Sequence, residues 1–137
     1  MTEKHEGVRV LVWVASDMQK EIRRQLDPIV AALAFASRAN ELFRIIRNRG
    51  VYDVVLLPAA LPDADWWTVW GEIFLLNPRP AILVYAHRAS FQLWSGVLES
   101  GGYDVVVEPF TDDELQCAVL HAAKSVDERP SNDIANE

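Results

Sequence analysis

Five short apolar runs, VRVLVWV, PIVAALAF, YDVVLL, AILVYA and DVVVE, alternate along the chain with segments of helical periodicity. The first of them, almost continuously apolar and β-branched, is the pattern of a strand covered on both faces. Strands that are each followed by a helix and a short connection form a mostly parallel sheet, with helices on both faces and right-handed crossovers. The alternation therefore predicts an α/β sandwich of five βα units.

The helices carry their own boundary signals. Ser16 precedes DMQKEIRRQL, in which Met18, Ile22 and Leu26 recur at four-residue spacing and Gln19 stands as a capping-box partner. Asp27-Pro28 stops that helix, because a residue before proline is pushed out of helical geometry. Ser37 opens the second helix, which ends near Gly50; the third is expected from about Asp65 to Leu76 and the fourth from about Ser90 to Ser100, ahead of Gly101-Gly102. Thr111 and Glu114 form a capping box for the fifth. Residues 1–7 read as an N-terminal extension, 8–126 as one folded domain, and 127–137 as a polar, acidic, disordered tail.

With 137 residues, half of them hydrophobic, the chain has material for one well-filled core. A formal charge of −7 disfavours a protein that neutralises phosphates along DNA or RNA, so no nucleic-acid partner is expected. The run from Ile29 to Ala36 falls well short of the roughly 20 residues that span a bilayer, so no membrane partner is expected either. The first residues lack the apolar core of a secretory signal, and the single cysteine, Cys117, suits a reducing compartment; the expected location is cytoplasmic. Cys117 itself reads as a small packing residue in the last helix.

In an open parallel sheet, ligands bind beyond the carboxyl ends of the strands. Those ends are Val14-Ala15-Ser16-Asp17, Pro58-Ala59-Ala60, Tyr85-Ala86-His87 and Glu108-Pro109-Phe110. The stretch YDVVLLPAALPDADWW, followed by PAILVYA and GGYDVVVEPF, resembles the receiver domain of bacterial response regulators over about Val8 to Val126. The resemblance implies a three-layer, flavodoxin-like (βα)5 sandwich with strand order 2-1-3-4-5. It also implies a site at which an aspartate closing the third strand accepts a phosphoryl group, assisted by Mg²⁺, a hydroxyl after strand four and a lysine after strand five.

This chain departs from that pattern at every point. Pro58 stands at the phosphoacceptor position and has no carboxylate to attack phosphorus. Tyr85 stands at the hydroxyl position, and Glu108 reverses the charge of the lysine, placing a repulsion of about 4 kcal/mol against a phosphoryl group 4 Å away at an effective dielectric near 20. Val14, Ala15 and Ser16 replace the acidic pair that holds Mg²⁺, so the metal site is expected to be lost and no cofactor is expected. Asp17 and Asp63 could still line an acidic pocket, but Asp17, Asp63 and Asp65 all precede helical runs, where carboxylates more commonly cap. His87 is a lone loop histidine for which the sequence identifies no partner.

The aromatic residues point to a contact surface. Trp66, Trp67 and Trp70 in the third helix, with Phe91 and Trp94 in the fourth, offer more ring area than one buried stripe absorbs. Trp66, Trp67, Phe91 and Trp94 are the expected anchors for a protein partner in a signalling pathway, a second copy of the chain being one such partner. The expected function is that of a non-enzymatic, atypical receiver acting by docking without phosphorylation. Two alternatives are a receiver still phosphorylated at Asp63, Asp65 or His87, and a small-ligand or flavin binder on the same scaffold. VASDMQ, with one serine and no glycine, gives the second little support.

Overall fold

A computed structural model describes residues 7–48, 50–61 and 64–128, without the side chain of Asp112. Asp63, together with His5, Arg49, Pro62 and most of the expected tail, lies outside the described residues. The strands are β1 (Val8–Trp13), β2 (Val30–Ala36), β3 (Val54–Pro58), β4 (Ala81–Ala86) and β5 (Asp104–Val107). The helices are α1 (Gln19–Leu26), α2 (Ala39–Arg47), α3 (Trp66–Phe74), α4 (Phe91–Glu99) and α5 (Asp112–Asp127). All pairings are parallel, in the order β2-β1-β3-β4-β5, as the resemblance implied.

Alternate residues of the central strands feed two separate cores, which follows from the two-residue period of a strand. Val10, Val12, Val14, Val54, Leu56 and Leu83 pack with Ile22 and Leu26 of α1 and Leu115 and Val119 of α5. Leu11, Trp13, Val55, Leu57, Ile82 and Val84 pack on the other face with Leu42 of α2, Val69 and Trp70 of α3, and Val97 of α4. Asp53 is structural: its carboxylate accepts from the Arg9 backbone N–H at 2.9 Å and from the guanidinium at 3.1 and 3.3 Å. Its own C=O accepts from Ala81 N–H at 2.9 Å, so one residue ties β1, β3 and β4 at their amino ends.

Caps form at Asp65, Ser90 and Thr111, and those expected at Ser16 and Asp17 do not. Ser90 accepts from Leu93 N–H, and Thr111 and Glu114 make the reciprocal box of α5. Ser16 instead enters a 3-10 turn, Ser16–Met18, and caps nothing with its side chain. That turn displaces the start of α1 to Gln19, so neither the Ser16–Gln19 box nor capping by Asp17 is available. Cys117 is exposed rather than packed, because the buried stripe of α5 runs through Leu115, Val119 and Ala122. The same helix continues through Asp127, where Val126 still packs on the α1/α5 core, one residue into the segment read as tail. Gly101 ends α4 with φ of 98°, a conformation that only glycine adopts without strain, and a Cβ there would lie 2.6 Å from the Phe74 ring.

Candidate functional site

The carboxyl end of β3 is closed by Pro58, in register with Tyr85 on β4. Ala59 N–H donates to the Tyr85 carbonyl at 2.8 Å, so the backbone ladder continues one residue past the proline. Tyr85 follows Leu83 on the α1/α5 face, and its ring meets Phe110 edge-on at 6.0 Å between centroids. The phenol O–H donates to the Trp13 carbonyl at 2.8 Å. Because β3 lies between β4 and β1, this bond carries the tyrosine ring across the mouth of the central strand. The position implied for a phosphoacceptor thus carries a pyrrolidine ring, with a phenol braced beside it.

Burial, reinforced by the negative charge of Glu108, pushes the Tyr85 phenol well above its ordinary pKa and keeps it a hydrogen-bond donor. Above about pH 10 the unfolded chain releases this proton and the folded chain holds it, so stability falls as pH rises. Tyr52, also raised by burial, adds to the same trend. Tyr85→Phe is therefore expected to flatten the loss of stability between about pH 10 and 11 in urea titrations. An unchanged alkaline slope would show that the phenol is not held neutral by the fold.

Glu108 follows β5 with 14% of its side chain exposed, and one carboxylate oxygen lies 3.1 Å from Nδ1 of His87, whose side chain is 91% exposed. The loop histidine thus has a partner that sequence reading did not supply. Asp17 lies exposed in the 3-10 turn. Asp65 caps α3, accepting from Thr68 N–H at 3.0 Å and from the Thr68 hydroxyl at 2.6 Å. Those bonds, the hydroxyl first, hold its carboxyl below the usual range, so the capped form persists into acid and is lost only as pH falls below ordinary carboxylate values. Among the described residues, no group of three or more His, Cys, Asp or Glu side chains is placed to share a metal ion.

Two cavities flank the Tyr85–Glu108–His87 wall. One, of about 300 Å³, opens over Pro58, Ala59 and Ala60. The other, of about 500 Å³, lies between the β1–α1 turn, α1 and the segment after β5, with apolar walls from Val14, Met18, Tyr85, Pro109 and Phe110. Its rear includes Gln25, a residue that the amphipathic reading of α1 gave no reason to single out. Gln25 is 3% exposed, and its amide N–H group donates to Glu21 at 2.8 Å and to the Phe110 carbonyl at 3.4 Å. Arg24 clamps the same Glu21 at 3.0 and 2.6 Å, and with Gln25 it holds the Glu21 carboxyl down at about 2.

The aromatic residues separate into two places. Trp66 is half-buried, stacked on the buried Trp70 at 5.0 Å, while Trp67 is 69% exposed at the rim of a groove shared with Leu93 and Gly96 of α4. Phe91, 76% exposed, and Trp94 sit 6.2 Å apart in a stripe with the exposed Leu98. At 3.6 residues per turn, positions 91, 94 and 98 lie roughly opposite positions 93 and 96. The four expected anchors therefore occupy two flanks of α4 rather than one patch.

No protein-family model and no curated protein sequence matches the chain. Solved structures do. The chain superposes on NtrX from Brucella abortus, solved in complex with ADP, with a TM-score of 0.78 and 19% identity, covering 89% of this chain and 28% of that one. For the signal receiver domain of an HD domain-containing protein from Pseudomonas fluorescens Pf-5 the values are 0.75 and 22%, covering 91% and 100%. For the receiver domain of the sensor histidine kinase PA1611 from Pseudomonas aeruginosa, which holds magnesium in its active-site cleft, they are 0.71 and 21%, covering 87% and 99%. The fold is that of receiver domains, and at these identities the likeness extends to the fold alone. Among the described residues, no helix is long and apolar enough to cross a membrane.

Proposed function

We propose that the chain is a pseudo-receiver, a non-enzymatic module of two-component-type signalling that acts by docking to a protein and forms no aspartyl phosphate. One observation carries this reading: the end of β3 offers Pro58, with the Tyr85 phenol fastened across it to Trp13. A proline has no oxygen nucleophile, so no acyl phosphate can form at that position. Glu108, at the edge of the same mouth, adds a negative charge where an incoming phosphoryl group would be repelled. Asp65, the nearest described alternative in sequence, is committed to the α3 cap. The Mg²⁺ site is lost in this reading, since Val14 and Ala15 offer no carboxylate beside Asp17.

What remains for output is surface. The exposed rings of Trp67, Phe91 and Trp94 supply large contact areas of the kind that dominates protein interfaces. Beryllofluoride with Mg²⁺ tests the reading, because that phosphoryl mimic needs a carboxylate to complete its coordination. Amide spectra are expected to show no change at Ala59, Ala60, Tyr85 to His87 or Glu108. Saturable shifts at these positions that require both Mg²⁺ and beryllofluoride would defeat the reading.

A further inference from the structure

The cavity of about 500 Å³ beside α1 is distinct from the apolar surfaces that support docking, and it lies within the size range of small-molecule sites. Its walls are mainly apolar, and two of them, Tyr85 and Phe110, present aromatic rings. Its polar side chains are the carboxylates of Glu21 and Glu108, the Gln25 amide, the Tyr85 phenol, whose proton is given to Trp13, and the His87 imidazole. Glu108 uses one carboxylate oxygen on His87, and its second has no hydrogen-bond partner among the described residues. The Gln25 amide oxygen is buried and has no hydrogen-bond partner among the described residues, while its nitrogen is occupied by two acceptors, Glu21 and Phe110. That occupancy fixes the orientation of the amide at the edge of the cavity.

The charges around the space are uneven. Glu21 is matched by Arg24, which grips both of its oxygens. Glu108 is paired, among the described residues, with the imidazole of His87, which is a cation only when protonated. Asp17 adds a further negative charge on the neighbouring 3-10 turn. A phosphate or carboxylate ligand would meet this field unfavourably, whereas an ammonium would satisfy Glu108 and could lie against the two ring faces.

We infer that this cavity is a binding site for a small organic amine, a monocation with an aromatic or branched aliphatic body, held by Glu108 and the apolar walls. The inference is independent of the docking reading: a chain that docks without phosphorylation need not bind an amine, and the reverse also holds.

Three probes share one body and differ in charge: 4-phenylbutylamine, 4-phenylbutanol and 4-phenylbutyrate. Amide-shift titrations of the full chain are expected to give saturable changes at Ala15, Met18, Gln25 and Phe110 with the amine. Affinity for the amine should exceed that for the alcohol by about tenfold or more, as expected of a charge-assisted hydrogen bond, and the carboxylate should be weakest. Glu108→Gln keeps the shape and should abolish the preference for amine over alcohol while leaving alcohol binding unchanged. Ala15→Trp, which fills the cavity mouth, should weaken all three probes. Three results would each overturn the inference: no saturation by the amine up to roughly 10 mM, equal affinities for the three probes, or an undiminished amine preference in Glu108→Gln. The amide spectrum of each variant reports whether it has folded.

Discussion

Trp70→Ala is expected to remove about 3–5 kcal/mol of stability, the range for deleting a buried aromatic side chain, and to lower the melting temperature by roughly 10–20 °C. Trp70 is buried at the join between α3, α4 and the sheet, stacked on Trp66 at 5.0 Å and tilted against Phe74 at 5.9 Å. The backbone of Gly102 also approaches it closely: a Cβ there would come within 2.8 Å of the indole ring. Losing this ring therefore leaves a void that Trp66, Phe74 and Val97 can fill only by abandoning their own contacts. The indole has a fault as well as a function, since its N–H is buried with no acceptor among the described residues. Trp70→Phe keeps much of the ring and removes the orphaned donor, so it should cost less than half as much as the alanine variant. Chemical denaturation of both variants measures the difference. Equal losses would mean that the indole is held by something other than its packing.

Phe91→Ala combined with Trp94→Ala has the opposite signature. Both rings are exposed on α4, 6.2 Å apart, so their removal should leave the melting temperature nearly unchanged. If they anchor the docking surface, each contributes at the level of an interface hot spot, about 2 kcal/mol or more, and the pair should weaken association at least 100-fold. Sedimentation of the chain across a concentration series tests a second copy as the occupant, and quantitative binding to a purified partner tests a different protein. Association that survives the double substitution would remove this flank of α4 from the proposal. Trp67→Ala then tests the other flank independently, since its ring borders the α3–α4 groove and does not belong to the Phe91 stripe.

Much of the fold was legible because the forces that specify it are local and periodic. The run VRVLVWV announces a strand buried on both faces, and β1 lies inside the sheet between β2 and β3. Ser90 and the Thr111–Glu114 pair announce helix starts through bonds spanning three residues. The Ser16 box failed because a 3-10 turn takes up the same residues, a choice made by the path of the chain from β1 into α1. Exposure of Cys117 was a matter of phase within α5, which the spacing of Leu115, Val119 and Ala122 would have given.

The site was legible in its composition and not in its contacts. Pro58 and Glu108 could be read directly as residues lacking the chemistry implied for their positions. The bond from Tyr85 to the Trp13 carbonyl joins residues 72 apart in sequence, and Gln25 meets the Phe110 carbonyl across 85. Neither carries a local pattern. The pairing of His87 with Glu108 depends on β4 and β5 ending side by side, which only the sheet order supplies. The division of the aromatic rings between two flanks of α4 depends on helix phase, and ring area alone does not assign a position to a side of the helix.

The central claim is that the end of β3 cannot receive a phosphoryl group. Its most direct test is incubation of the purified chain with acetyl phosphate and Mg²⁺, followed by intact-mass measurement before any labile acyl phosphate decays. The expected spectrum shows the unmodified mass alone. A species heavier by one phosphoryl group, labile to hydroxylamine as an acyl phosphate is, would contradict the claim.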